Sequence, residues 1–254
     1  MRFAAGFVSS RHLPAKLHVQ KQEANAPYVW YLYIQWDGDG MNFVYGETQI
    51  HYLAGKDKRL GQAMEQIGYI ECAVDPDLFA STVRQIVGQQ ISMAAQHTIW
   101  QRMQQGLGIV SPETIAALTI DGLQRFGMTY KKAGYIHAFA QKVLRGTFDI
   151  EALWEKDDQA VIEALSSLDG VGAWTAEMLM IFSMQRQNIL SYGDLAIHRG
   201  MRMLYHHRKV DKKRFELYRR RYSPYGTVAS LYLWAIATGA IPGMKDDAKS
   251  GKTK

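Results

Sequence analysis

The 254-residue sequence has little cysteine, little proline and no long apolar run, and two of these shortages exclude whole classes of protein. A single cysteine, Cys72, excludes an internal disulfide and any site that needs four cysteines. Such sparing use of cysteine indicates a reducing, cytosolic setting. No run reaches the roughly 18 apolar residues of a membrane span. Residues 1–16 also lack the apolar core of a secretory signal, so we expect neither a membrane protein nor an exported one.

Positive charge is in excess, and it is concentrated in one segment. The chain has a net charge of +6, and residues 199–221 hold ten Lys or Arg against Asp211 and Glu216. That segment alone therefore has a net charge of +8, and the rest of the chain is slightly acidic. A basic segment is either a solvated helical face or a surface that binds a polyanion such as nucleic acid, and charge alone does not decide between them.

Hydrophobic periodicity predicts an all-α protein from about Met41 onward. Apolar residues recur every three or four positions through 77–103, where Gly88 divides the pattern into two helices. Ser111-Pro112-Glu113 marks a further helix start. The same spacing predicts helices at about 131–145, 158–167, 174–185, 195–206, 212–221 and 226–239.

The remaining segments differ from this helical body, which we assign to residues 41–244. Residues 1–40 form an N-terminal extension that is either poorly ordered or the remnant of a β element. Its aromatic and β-branched run YVWYLYIQW (28–36) predicts one strand. The sequence KDDAKSGKTK (245–254), which follows the helical body, predicts a disordered tail.

The stretch LDGVGAWTA (168–176) predicts a tight turn between two helices. A turn this short needs a positive φ or a very close backbone approach, and glycine provides both at little cost. The backbone N–H groups at the start of the second helix would suit a phosphate, although a purely steric helix connection explains the glycines equally well. Asp194 opens the next periodic helix, a position where aspartate is most often an N-cap.

These segments, in this order, resemble the helix-hairpin-helix (HhH-GPD) superfamily of base-excision DNA glycosylases. LDGVGAWTA matches the hairpin of that family, within residues 166–184, and Asp194 in YGDLAIHR matches its catalytic aspartate. Three other segments match in order: VRQIVGQQIS (83–92), MTYKKAGYIHAFA (128–140) and YSPYGTVASLYLW (222–234). Within the superfamily, the chain is most similar to DNA-3-methyladenine glycosylase II. The resemblance implies an all-α fold of two helical lobes around a cleft, preceded by a short N-terminal extension with room for one or two strands.

The resemblance also implies roles for individual residues. Asp194 would be catalytic and Gln90 would be the wedge that fills the gap in the duplex. The base pocket would comprise Trp174, Tyr225 and Met178, and the phosphate-binding group would comprise Gly170, Val171, Gly172 and Thr175. Core packing is the alternative for Trp174 and Tyr225, and a polar residue at a helix bend is the alternative for Gln90. Asp169 departs from the family's usual proline and places a negative charge beside the proposed phosphate contact.

Family members that also cleave the DNA strand carry a lysine two residues after the last hairpin glycine, where this chain has Trp174. Without that amine, no Schiff base can form, so the resemblance implies a monofunctional hydrolase. It would flip an alkylated purine of the 3-methyladenine type out of DNA and hydrolyse its N-glycosidic bond, leaving an abasic site. The alternatives are a glycosylase for another damaged base and a catalytically silent DNA-binding protein.

We expect no cofactor, no metal ion and no iron–sulfur cluster, because cluster-forming cysteines are absent and the histidines lack metal-ligand spacing. The expected partner is double-stranded DNA containing alkylated bases, with no membrane. We further expect a monomer that is cytoplasmic, nucleoid-associated and bacterial. Asp75, Asp77, Asp157 and Asp158 are interpreted as helix-start carboxylates and not as a catalytic pair. Lys131 and Lys132 are interpreted as members of a solvated face, with contact to a DNA phosphate as the alternative.

Overall fold

A computed structural model describes residues 41–250 of the chain. Regular structure in that range is almost entirely helical, which confirms the all-α prediction. The predicted extension 1–40, with its strand at 28–36, lies outside the described residues, as do residues 251–254.

The helices form two lobes, and the first combines helices from both ends of the described chain. In this lobe α2 packs against α1, α10 and α12, while α11 packs against α1 and α12. Its members are α1 (Glu47–Lys56), α2 (Lys58–Ile67), α10 (Leu195–Tyr205), α11 (Lys212–Tyr222) and α12 (Gly226–Ala237). A 3-10 helix, Asp247–Ser250, contacts α10.

The second lobe consists of the helices that lie between these in the chain. Here α7 packs against α3, α5 and α6, and α9 packs against α3 and α8. Its members are α3 (Leu78–Gly88), α4 (Met93–Leu107), α5 (Pro112–Ala116), α6 (Ile120–Gln124), α7 (Tyr130–Leu144), α8 (Asp158–Ser166) and α9 (Ala173–Phe182). A 3-10 helix, Glu151–Glu155, precedes α8.

A small antiparallel sheet lies where the lobes meet. Strand β1 (Met41–Asn42) pairs with β2 (Ala73–Val74), with Met41 opposite Val74. Strand β1 leads into α1 of the first lobe, and β2 leads into α3 of the second. The Asp75 N–H also donates to the Phe182 carbonyl at 2.8 Å, so the end of β2 is attached to the end of α9.

Close packing of α10 against α12 forms the centre of the first lobe. Every residue of α12 is buried, and Gly200 of α10 lies so near the Leu233 carbonyl that an added Cβ would overlap it. A helix that is apolar on all sides must be surrounded by other elements, and α12 fits that rule. This packing places the N-termini of α10 and α12, which carry two of the predicted site residues, in the same lobe.

Helices α7 to α12 begin and end within three residues of the predicted bounds. Asp77 and Asp157 accept backbone N–H groups of Ala80 and Ala160, each at 2.8 Å, which confirms that both are helix caps. The segment 245–250 differs from the predicted disordered tail. Asp246 there receives two hydrogen bonds from the Arg202 guanidinium, from Nε at 2.8 Å and from Nη2 at 2.7 Å, and the 3-10 helix follows it.

Candidate active site

The Asp194 carboxylate lies at the junction of the two lobes and is held by both of them. It caps α10, because Oδ1 accepts the backbone N–H groups of Ala196 at 2.8 Å and Ile197 at 2.9 Å. Oδ2 accepts the indole N–H of Trp174, from α9, at 3.2 Å. The residue is 1% exposed. Asp194 is therefore both the expected helix cap and the partner of the predicted pocket tryptophan.

The two oxygens of this carboxylate have different surroundings. Oδ1 is occupied by the start of the helix, so it is fixed in position. Oδ2 accepts the indole N–H of Trp174, whose side chain is half-buried. Because Asp194 is 1% exposed, a substrate could reach Oδ2 only after neighbouring side chains such as Trp174 moved.

The hairpin has the two glycines for different reasons. Gly170 has φ +83°, and a Cβ there would be 2.7 Å from Cδ2 of Tyr135, so both the backbone and the packing require glycine. Gly172 is the N-cap of α9 with φ −91°, and a Cβ there would meet no atom within 4 Å. No side chain caps α9, and Gly172 is exposed. Contacts within the protein thus account for glycine at position 170, whereas the surface around Gly172 is open to a ligand.

The other two predicted hairpin residues are buried. The Val171 side chain is buried, and the Val171 N–H donates to the Leu168 carbonyl at 3.0 Å. Thr175 lies in the first turn of α9 and is buried as well. A phosphate at this helix start would therefore meet backbone groups near Gly172 before it met either side chain.

The turn after α3 carries Gln90 and is tied to the second lobe from two sides. Gln90 is exposed, with φ +57°. The Gln89 side-chain amide donates to the Gly170 carbonyl at 2.5 Å, which joins this turn to the hairpin. Lys132 Nζ donates to the carbonyls of Val87 at 2.8 Å and Gln89 at 2.5 Å. The candidate wedge thus projects from a fixed support.

The interpretation of Lys132 as part of a solvated face was wrong. Its ammonium reaches back to the end of α3, where the last carbonyls lack helical partners and attract a cation. Burial lowers the pKa of Lys132 from its usual value. Lys131, its neighbour, is exposed and lies over the Tyr135 ring at 5.7 Å.

The structure places the remaining pocket candidates in different surroundings. Tyr225 immediately precedes α12 and is partly buried. Its ring makes a T-shaped contact with the ring of Tyr52 from α1, with centroids 5.2 Å apart. The Tyr52 hydroxyl donates to the Ser223 carbonyl at 2.6 Å. Met178 is 0% exposed, so a base could contact it only after neighbouring side chains moved.

A second carboxylate, Glu177, lies one helical turn after Trp174 on α9, and sequence reasoning missed it. The hydroxyl of Ser191, in the loop before Asp194, donates a hydrogen bond to Glu177 Oε2. Burial raises the pKa of Glu177, the Ser191 hydrogen bond and the Arg219 charge lower it, and the charge of Asp194 raises it. Glu177 and Asp194 are therefore close enough to influence each other electrostatically.

The basic segment 199–221 is only partly available to a polyanion. Five of its arginines make internal contacts, and Arg199 is one of them, with Nε 3.9 Å from Asp246 Oδ2. Arg202 pairs with Asp246 and Arg221 with Asp57, whereas Arg214 and Arg219 donate to the carbonyls of Lys209 and Leu190. Exposed positions remain at Arg208, Lys209, Lys212, Lys213 and Arg220. The net charge of the segment therefore overstates the positive surface that it presents.

Residues 83–224 match the family described as the HhH-GPD superfamily of base excision DNA repair proteins. The chain belongs to this superfamily. The match spans the turn that carries Gln90, the hairpin and Asp194. It ends one residue before Tyr225.

Individual relatives agree with this assignment. A DNA-3-methyladenine glycosidase from Bacillus halodurans is 34% identical, with a TM-score of 0.71, over 78% of this chain and 92% of that one. DNA-3-methyladenine glycosylase 1 of Schizosaccharomyces pombe is 27% identical over 74% of this chain and 86% of the relative. A structure of the S. pombe 3-methyladenine DNA glycosylase in complex with abasic DNA is 23% identical, with a TM-score of 0.63, over 77% of this chain and 98% of that one, and shares the fold.

Two further observations concern residues 41–250 alone. No three His, Cys, Asp or Glu side chains in that range lie close enough together to hold a metal ion. None of the helices in the same range has the length and apolar character needed to cross a membrane.

Proposed function

We propose that this protein is a monofunctional DNA glycosylase that removes alkylated purines of the 3-methyladenine type from double-stranded DNA. The observation that carries the proposal is the contact between the Trp174 indole N–H and Asp194 Oδ2, at the junction of the two lobes. The relatives named as 3-methyladenine glycosylases support the choice of substrate class.

The reaction needs little from the protein beyond one carboxylate. Alkylation at a ring nitrogen makes the purine cationic, so the base is already a good leaving group. As the N-glycosidic bond breaks, positive charge develops on the deoxyribose. The Asp194 carboxylate stabilises that charge and directs a water molecule to the sugar. Because Oδ1 is fixed by the helix start, the carboxylate does not have to reorganise when the charge forms.

Trp174 links recognition of the base to this chemistry. A cationic base is attracted to the electron-rich face of an indole. The edge of the same indole contacts Asp194, so a base stacked on the ring would bring its sugar to the carboxylate. Tyr225, with Tyr52 against its ring, supplies a second aromatic surface in the other lobe. An indole at position 174 also provides no amine for a covalent adduct, so sodium borohydride should trap no protein–DNA complex.

The remaining groups hold the duplex while the base is out of the stack. The open N-terminus of α9 at Gly172 binds a backbone phosphate through N–H groups. Gln90, exposed on its fixed turn, fills the space that the base leaves. We further propose that the protein acts as a monomer and without a cofactor, since hydrolysis of one C–N bond by water needs no electron carrier.

The decisive experiment replaces Asp194 with Asn and measures release of labelled bases from methylated DNA, resolved by chromatography. Asparagine caps helices about as well as aspartate, so the fold should be retained. We expect Asp194→Asn to lose base release and to keep its affinity for the duplex. The matched control is Asp157→Asn, which changes the cap of α8 and should leave release unchanged.

Base release by Asp194→Asn at the wild-type rate would refute the proposed function. If the wild-type protein binds DNA but releases no base from methylated DNA, it is the catalytically silent alternative. Release of other damaged bases in preference to 3-methyladenine would correct the substrate and leave the mechanism in place.

A further inference from the structure

Helix α9 contacts the loop before α10 at two points. Trp174 and Glu177 are three residues apart, so their side chains lie next to each other on one face of the helix. Trp174 donates to Asp194 at the end of the loop, and Glu177 accepts a hydrogen bond from Ser191 three residues earlier. The same face of α9 therefore forms hydrogen bonds with both ends of the 191–194 turn.

Ser191 is well placed to transmit this second contact. It is fully buried, and its carbonyl accepts the Asp194 N–H at 3.4 Å, so it is the first residue of the turn that ends at the carboxylate. A shift of the Ser191 side chain would therefore move the backbone that carries Asp194.

The neighbouring residues of the loop are anchored elsewhere. Arg219 of α11 donates to the Leu190 carbonyl at 2.8 Å. Ile189 is bonded to α12 by its N–H, which Thr227 accepts at 2.9 Å, and by its carbonyl, which accepts from Ser230 at 2.9 Å. Those contacts come from the first lobe. Glu177 supplies the contact that fixes the start of the turn relative to Trp174, in the second lobe.

A carboxylate at this place has an electrostatic cost, which Arg219 offsets. Glu177 is partly withdrawn from water and lies within the field of Asp194, and both effects disfavour its charged form. The guanidinium of Arg219 acts in the opposite direction. An apolar side chain would avoid this cost but could not accept the Ser191 hydrogen bond.

We propose that Glu177 is a positioning residue for Asp194. By accepting the Ser191 hydrogen bond, it holds the 191–194 turn so that Asp194 Oδ2 stays at the edge of the Trp174 indole. This inference rests on the proposed function, because it assigns Glu177 to the same reaction. Glu177 itself does not contact the base or the sugar.

The test compares single-turnover base release and duplex affinity for Glu177→Ala, Glu177→Gln, Ser191→Ala and the double variant Glu177→Ala/Ser191→Ala. A misplacement of about 1 Å can cost on the order of 100-fold in rate, so we expect Glu177→Ala to slow release roughly 10- to 100-fold. Affinity for a duplex with an abasic-site analogue should stay unchanged. Glutamine keeps an oxygen that accepts from Ser191, so Glu177→Gln should recover the rate to within about 3-fold of wild type.

The double variant decides whether Glu177 acts through Ser191. If it does, both single changes remove the same hydrogen bond, and the double variant is no slower than the slower single variant. A double variant whose loss of rate equals the product of the two single losses would overturn the proposal. A Glu177→Gln variant as slow as Glu177→Ala would overturn it as well. Thr238→Ala, which removes hydroxyl hydrogen bonds at the far end of α12, is the control for general destabilisation. A loss in Glu177→Ala no larger than in that control would also overturn it.

Failure of this inference is distinguishable from failure of the proposed function. An inactive Asp194→Asn variant together with a fully active Glu177→Ala variant would remove only the positioning role. An active Asp194→Asn variant would remove the reaction that both residues are assigned to.

Discussion

The hairpin offers a pair of matched substitutions that test whether Gly170 is needed for the fold and Gly172 for the proposed DNA contact. We predict that Gly170→Ala mainly lowers the free energy of unfolding, whereas Gly172→Ala mainly lowers affinity for DNA. The two changes add the same methyl group, two residues apart, to one turn. Their different outcomes follow from φ +83° and a contact with Tyr135 at Gly170, against φ −91° and open space at Gly172.

The expected magnitudes follow from these surroundings. An alanine with positive φ costs roughly 1–2 kcal/mol. Overlap with a packed ring adds about 1–3 kcal/mol. The reduced freedom of the unfolded chain returns about 0.4–1 kcal/mol, so Gly170→Ala should lower the free energy of unfolding by about 1–4.5 kcal/mol. At Gly172 the same return offsets the poorer cap, which costs roughly 1 kcal/mol, so the change in stability should be close to zero.

The expected effect on DNA affinity follows from the proposed phosphate contact with the backbone N–H groups at the start of α9. A hydrogen bond to a charged group contributes about 1.5–3 kcal/mol, and about 1.4 kcal/mol corresponds to a tenfold change in affinity. Loss of one such bond by obstruction at Gly172 should therefore weaken duplex binding roughly 10- to 100-fold. Urea unfolding and fluorescence anisotropy with a labelled duplex measure the two quantities separately. Wild-type affinity in Gly172→Ala would refute the phosphate contact, and equal stability of the two variants would refute the structural account of Gly170.

Two further predictions concern contacts outside the hairpin. Lys132→Met should lower the free energy of unfolding by about 1–3 kcal/mol, because two carbonyls at the end of α3 lose their donor. Urea unfolding measures this loss. An equal loss in the exposed control variant Lys131→Met would contradict the prediction. Asp246→Asn should lower the free energy of unfolding by about 1–2 kcal/mol at neutral pH, since Arg202 loses its partner. The Arg202 hydrogen bond lowers the pKa of Asp246, so this contribution is present above the usual carboxyl pKa and is lost as pH falls through the lower folded value. The gap between wild type and Asp246→Asn should accordingly close below about pH 4, and a gap that persists there would refute the ion pair as its source.

Features that depend on local chain geometry could be predicted from the sequence. Helices α7 to α12 follow from apolar residues at three- and four-residue spacing, and their starts follow from capping residues such as Asp157. Gly170 could be recognised because a tight turn needs a residue that tolerates positive φ. The position of Asp194 at a helix start was also visible in the sequence, and the structure confirms its capping bonds.

Contacts between distant parts of the chain could not be predicted in the same way. Lys132 and Gln89 donate hydrogen bonds to backbone carbonyl groups 43 and 81 residues away. Because every residue has a backbone carbonyl, no sequence pattern marks the partner. Arg221 and Arg202 looked the same as the exposed cations of their segment, although acidic residues at positions 57 and 246 neutralise them. Charge patterns along a chain reveal cations but do not reveal which of them fold against a carboxylate.

The candidate site spans two lobes, and this has a consequence for how substitutions should be interpreted. Asp194 belongs to the first lobe, whereas Trp174 and Glu177 belong to the second, so the geometry of the candidate site depends on how α9 lies against the start of α10. Contacts that set this arrangement, such as the bond from Asp75 to Phe182 beside the small sheet, are remote from the carboxylate in the chain. Substitutions there can slow base release without touching DNA, because a shift between the lobes separates the indole from the carboxylate. A slow variant therefore identifies a catalytic residue only when its fold, its duplex affinity and the rate of a conservative replacement have been measured together.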